Sequence, residues 1–328
     1  MKEILNNLFD QKKFTRMEAK EILTNMASGK YNNTQMAAFM AVYCMRNITV
    51  DELEGFRDAM LELCLNPGLD AYELVDLCGT GGDSKDTFNI STLASFVVAG
   101  AGYKVAKHGN YGVSSGCGSS NVMEYLGYNF TNSSDELKRN LDNAGICFLH
   151  APLFHPAMKI IAPIRKELGV KTFFNMLGPM VNPAQPKNQL VGVFSLELAR
   201  LYAYLYQKSD KNYTILHALE GYDEISLTCP FKTFTNAGEQ VHTVESLGYK
   251  RIDANTIRGG STIPDSANIF MAVLNGEATF EQNSVVLCNA ATAIETIHPE
   301  YSFAQCLDIA KESLVSGKAL QSFKKLVS

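Results

Sequence analysis

Two stretches of this sequence have the residue types and spacing that chemistry on phosphate requires. The first runs Leu77-Cys78-Gly79-Thr80-Gly81-Gly82-Asp83-Ser84 and continues through Lys85-Asp86 to Thr87-Phe88-Asn89-Ile90-Ser91-Thr92. Glycine lets backbone N–H groups come close to an anion, and a helix start adds favourable partial charge. Neither common nucleotide-binding pattern fits: no third glycine completes G-x-G-x-x-G, and no Gly-Lys-Ser/Thr follows a four-residue gap. A tight turn in which glycine serves only backbone geometry is the plainer alternative, but Asn89, Ser91 and Thr92 cluster where the helix should start and favour phosphate. The second stretch is Asp223-Glu224. Adjacent carboxylates repel unless a cation is near, and magnesium prefers one or two carboxylates with phosphate oxygens and water. Beside a phosphate turn the pair is a magnesium site; in isolation it is a solvated acidic turn.

Two cations and one false lead complete the set. Lys107 ends a strand and is expected to point into a crevice, where it screens phosphate as a point charge. Arg165, on the helix after His155, is placed to clamp a carboxylate in bidentate fashion. Without the loops around them, each reads as a surface cation. Gly112-Val113-Ser114-Ser115-Gly116 matches the G-x-S-x-G nucleophile elbow, which needs its serine at a sharp strand-to-helix turn. Several loop residues separate the strand from Ser114, and no histidine spacing nominates a base, so the match is accidental.

The elements that must position these residues fall into two textures. Residues 1 to about 65 read as all-helical: Thr15 with Glu18 and Thr49 with Glu52 fit capping boxes, and Met36, Phe39, Met40, Tyr43 and Cys44 make one apolar stripe. That stripe, with Phe56, Met60, Leu61 and Leu63, is core or dimer packing, and Asn66-Pro67-Gly68 ends the module. From Glu73 strands and helices alternate, the signature of an α/β sheet. Expected strands are 73–77, 103–107, 146–149, 190–193 and 213–217. A helix is expected from Leu93 to Gly100, another is capped at Ser133–Glu136, and a third begins at His155. Loops at the carboxyl ends of strands in such a sheet line one crevice, so the glycine-rich turn should face the loop His108–Ser120. Residues 171–188, with three prolines, read as a crossover returning to the helical module, and helices pack on the sheet from about residue 263. The expected division is a helical domain over 1–68 and an α/β domain over 72–328.

Length and composition set the frame. At 328 residues the chain buries a large core, and about 150 residues per domain suggests two units. A net charge of −5 argues against nucleic acid. Eight scattered cysteines without a C-x-x-C pair suit buried thiols in a reducing cytoplasm, rather than a disulfide framework or zinc. No signal peptide is expected, and no apolar run approaches the roughly 18 residues of a membrane span.

Taken together, these motifs resemble the anthranilate phosphoribosyltransferase family over most of the chain. The resemblance rests on Asp76–Asp83, Thr87–Thr92, Lys107-His108-Gly109-Asn110 with Ser114-Ser115, His155–Met158, Arg165, Phe174–Pro179 with Asn182-Pro183, and Asp223-Glu224. It implies a small helical domain joined to a larger α/β domain with a central, mainly parallel sheet, and a homodimer formed through the helical part. It implies anthranilate and phosphoribosyl pyrophosphate as substrates, with magnesium. On this resemblance Gly79, Gly82, Asp83, Thr87, Asn89, Ile90, Ser91, Thr92, Lys107, Ser115 and Ser119 contact phosphoribosyl pyrophosphate. Ser91, Asp223 and Glu224 hold magnesium; Gly79, His108, Asn110 and Arg165 meet anthranilate, Arg165 near its carboxylate. Tyr111 stands where many members have arginine, and Ser120-Asn121 where they have Ala-Asp, which bears on loop detail and affinity.

The chemistry implied is electrostatic. An aromatic amine is a poor nucleophile and pyrophosphate leaves with much negative charge, so charge stabilisation and positioning suffice and no nucleophilic side chain is required. The rival readings are a nucleoside phosphorylase of related architecture, whose phosphate loop differs from Thr87–Thr92, a non-enzymatic nucleic-acid-binding paralogue, and a G-x-S-x-G hydrolase.

Overall fold

Polar caps set the helices that open the chain: Lys2–Phe9, Arg16–Ala27, Asn33–Met45 and Val50–Glu62. In this computed structural model, which describes residues 1–112 and 117–328, both expected capping boxes form and Asn32 with Gln35 adds a third. Arg16–Ala27 and Val50–Glu62 pack so closely that a Cβ on Gly55 would lie 2.3 Å from the Arg16 carbonyl oxygen. Glu52 does more than cap. Fully buried, its carboxylate accepts from Phe14 N at 3.1 Å, Tyr43 Oη at 3.0 Å and Thr49 N at 3.0 Å, and it pairs with Arg46. Burial alone would raise its pKa, but Arg46 and the backbone N–H groups outweigh that and hold the carboxyl below its ordinary value.

Met1–Asn66 and Ala151–Pro183 form one unit; Pro67–His150 and Ala184–Ser328 form the other. The returning segment therefore runs over 151–183 rather than 171–188. It starts earlier, to include the helix Met158–Leu168 with Pro163 inside it, and it ends before residues 184–188, which belong to the other unit. Aromatic burial is the cause. The Phe173 ring stacks on Phe56 with centroids 4.5 Å apart and also meets Phe39 and Tyr43.

The second unit is built on seven strands: β1 Leu74–Gly79, β2 Lys104–Gly109, β3 Ile146–His150, β4 Asn188–Gly192, β5 Asn212–Ala218, β6 Phe231–Thr235 and β7 Gly238–His242. Their order is β3-β2-β1-β4-β5-β6-β7; the first five are parallel, and β6 and β7 add an antiparallel edge. That hairpin has no counterpart in the sequence reading, because its Asn236-Ala237-Gly238 turn lacks the two-residue Asn-Gly signal. The helix expected from Leu93 starts at Ile90 and runs to Gly100, almost wholly buried against Phe280–Ile297 and the sheet. Ser133 stands at the start of Ser134–Ala144 as expected but makes no side-chain capping bond. Chain order reverses at β1, with β2 on one side and β4 on the other, and such a switch point opens a crevice beyond the carboxyl ends of the strands. Among the described residues no helix is long and apolar enough to cross a membrane.

Removing the Glu52 charge leaves Arg46 buried and unpaired, so Glu52→Gln is expected to cost roughly 3 kcal/mol at neutral pH. Because the folded pKa is depressed, this contribution is present above the ordinary value of 4.5 and is lost as pH falls through the folded one. Chemical denaturation of both proteins from pH 7 to pH 3 checks it: the stability gap should narrow on acidification, and a gap constant with pH would reject the assignment.

Candidate active site

At the carboxyl end of β1, Gly79 lies beside Gly192, the last residue of β4. The two glycines leave a slot that Asp223 fills. A Cβ on Gly79 would sit 2.4 Å from Asp223 Oδ2, and one on Gly192 would sit 1.4 Å from the Asp223 carbonyl oxygen. Gly81, at φ +63°, then turns its N–H onto Asp223 Oδ2 at 2.7 Å. Neighbouring Glu224 accepts from the Thr87 hydroxyl on the far side of the same turn. The acidic pair thus lies against the turn within the α/β unit.

The turn itself is strained and pinned. Ser84 and Asp86 adopt positive φ of 62° and 50°, unusual for residues with a Cβ. Gly259 N donates to Asp86 O at 2.7 Å, and Lys85 lies over the Tyr222 ring at 4.7 Å. Asp83 Oδ2 is buried with no hydrogen-bond partner among the described residues. Burial and the nearby Asp83 raise the Asp223 carboxyl above its ordinary range; burial and Asp223 raise Glu224 well above its own. Asp83, Asp223 and Glu224 therefore repel one another, with buried Lys107 as a nearby positive charge.

Following the turn, Asn89 stands at the start of the helix Ile90–Gly100 but does not cap it; its Nδ2 donates instead to Cys117 O at 3.1 Å. No side chain caps the first turn at Ser91 and Thr92, and uncapped N–H groups at a helix start favour negative charge. The Ile90 and Thr92 side chains are buried in the core, so only their backbone is available to a ligand. Ser91 Oγ accepts from Lys107 Nζ at 3.2 Å.

Lys107 corrects its expectation in one respect. It is only 2 % exposed and does not stand open in the crevice. Its ammonium donates to Leu77 O at 2.6 Å from beneath the turn. Burial pushes its pKa down, while Asp76, Cys78 and the acidic pair oppose that. It is a buried charge aimed at the helix start, not a surface cation.

The end of β2 and the segment after it contribute the next candidates. His108 is buried, with its backbone N–H donating to Asp76 Oδ1 at 3.2 Å. Ser119 Oγ donates to Asn110 O at 3.4 Å, which links those two candidates. Tyr111 packs edge-on against His150 with centroids 4.8 Å apart, and Asn121 Oδ1 accepts from Gly112 N and Gly118 N at 2.9 and 3.0 Å, so both departures from the family pattern hold the loop. Ser115, and with it Ser114 of the accidental elbow, lies outside the described residues. Arg165 belongs to the helical unit. The sequence reading missed Gly192 and Gly81 N as the groups that seat Asp223; the Gly192-Val193 pair closing a strand was the only local signal.

Comparison with known proteins agrees with this architecture. The model of the glycosyl transferase family a/b domain matches residues 71–320, and that of its helical bundle domain matches residues 2–64. An anthranilate phosphoribosyltransferase from Christiangramia forsetii is 60% identical, with 99% of this chain and 98% of the relative covered. One from Cytophaga hutchinsonii is 53% identical with both chains covered in full. The crystal structure of the Thermus thermophilus anthranilate phosphoribosyltransferase superposes with a TM-score of 0.91 at 30% identity, covering 98% of each chain. A Saccharomyces cerevisiae anthranilate phosphoribosyltransferase in complex with PRPP and Mg gives 0.89 at 23% identity, covering 98% of this chain and 95% of that one, a likeness of fold.

Because the Cβ of an alanine at 192 would overlap a backbone atom, Gly192→Ala must displace Asp223. The expected cost is about 3 kcal/mol of stability, read as a lowered unfolding midpoint in urea; an unchanged midpoint would show that the slot is not rigid.

Proposed function

This chain belongs to the anthranilate phosphoribosyltransferases of the glycosyl transferase family, and from that membership we propose how its residues carry out the transfer. The reaction moves the phosphoribosyl group of phosphoribosyl pyrophosphate to the amine of anthranilate, a step of tryptophan biosynthesis. The bond from the ribose anomeric carbon to pyrophosphate breaks, a carbon–nitrogen bond forms, and the amine gives up a proton. Membership selects this reading over the phosphorylase and the hydrolase.

The observation that carries the residue assignment is the glycine slot that seats Asp223 beside Glu224 against the turn Gly79–Thr87. The N–H groups of Gly82, Ser91 and Thr92 receive phosphate oxygens, with the Thr87, Asn89, Ser115 and Ser119 side chains around them. Lys107 adds positive field from below without leaving its bonds to Leu77 O and Ser91 Oγ. The roles that the family resemblance implies for the aromatic acid are contact by Asn110 and His108 and capture of its carboxylate by Arg165.

Magnesium fits this donor set. Hard carboxylate oxygens, two of them raised in pKa by burial and mutual repulsion and a third with an unpartnered buried oxygen, match an ion that takes one or two carboxylates plus phosphate oxygens. Asp223 and Glu224 would hold it, with the Ser91 hydroxyl alongside. When bound it neutralises charge on the pyrophosphate group. The protein is further inferred to be a cytoplasmic homodimer: its eight cysteines are free thiols, and the helical unit exposes Phe9, Met17 and Met45.

Asp223→Asn combined with Glu224→Gln removes two mutually repelling charges. Turnover, followed as loss of anthranilate fluorescence, is expected to fall at least about 100-fold, while the melting temperature holds or rises. Wild-type turnover in the double variant would sink the assignment, and a collapsed melting temperature would make the pair structural.

A further inference from the structure

Arg165 is a mostly buried guanidinium with no carboxylate partner among the described residues, and burial pushes its pKa down. Its polar contact is Asn175, in the short helix Phe174–Leu177, whose Oδ1 accepts from Arg165 Nη2 at 3.3 Å. The same oxygen accepts from Thr172 N at 3.1 Å, and Asn175 N donates back to Thr172 O at 2.9 Å. That closed turn fixes the side-chain amide, because two donors facing one atom identify it as the oxygen. The guanidinium plane is held from a second direction by the Phe174 ring, 5.2 Å from Arg165 Cζ.

We propose that Asn175 is a positioning residue: it aims the Arg165 guanidinium at the carboxylate of the aromatic acid while leaving the positive charge uncompensated. This rests on the reading that Arg165 receives that carboxylate. The residue type matters. A neutral amide oxygen occupies one of five N–H donors and orients the fork, whereas an aspartate there would form an internal ion pair and compete with the substrate for the cation.

Steady-state kinetics with anthranilate and phosphoribosyl pyrophosphate varied separately tests this. Asn175→Asp keeps the acceptor and the shape, and it is expected to raise the anthranilate KM about 30-fold, with kcat and the phosphoribosyl pyrophosphate KM within about twofold. Asn175→Ala, which loses orientation but adds no competitor, should raise the anthranilate KM by about fivefold. An aspartate variant no worse than the alanine variant overturns the proposal. So does a parallel fall of kcat and unfolding midpoint, or failure of both variants to fold, since either makes Asn175 structural. Arg165→Ala separates the underlying reading: an active Arg165→Ala enzyme with unchanged anthranilate KM removes the role of Arg165 itself. A crippled Arg165→Ala beside a normal Asn175→Asp rejects only the positioning role.

Discussion

The structure depends on one tight fit: a carboxylate residue seated where two neighbouring strands end in glycine. Gly79 and Gly192 are paired across β1 and β4 at the point where chain order reverses, and Asp223 occupies the space their missing side chains leave. The fit places Glu224 against Thr87 and brings Asp83 close enough to repel both. Every other feature of the site is arranged around that concentration of negative charge. The turn adopts unfavourable φ at Ser84 and Asp86, and Lys107 is buried below it instead of being solvated.

Two buried glutamates show how environment decides what a carboxylate does. Glu52 is surrounded by donors and by Arg46, so its ionised form is favoured and it acts as a fastener for the helical unit. Glu224 is offered one hydroxyl and two neighbouring acids, so its ionised form is disfavoured. The first arrangement contributes stability; the second costs stability.

The same logic runs through the cations. Arg46 is matched to a carboxylate and Lys107 to a carbonyl and a hydroxyl, and both are fixed. Arg165 is oriented by Asn175 and Phe174 but paired with no acid among the described residues.

Sequence by itself determined the two textures, the capped helices at Thr15 and Thr49 and the positions of strands β1 to β5, because each is written in local periodicity or capping types. It also determined the family, since an ordered set of motifs spread over the chain is far more specific than any one of them. Tertiary structure alone decided that Gly192 seats Asp223, that Lys107 is buried and that residues 151–170 join the helical unit. It also decided that Asn89 reaches across to Cys117 instead of capping its helix. In each case the deciding partner lies far away along the chain: Phe173 meets Phe56, and Gly192 meets Asp223 across a sheet whose order no local pattern encodes.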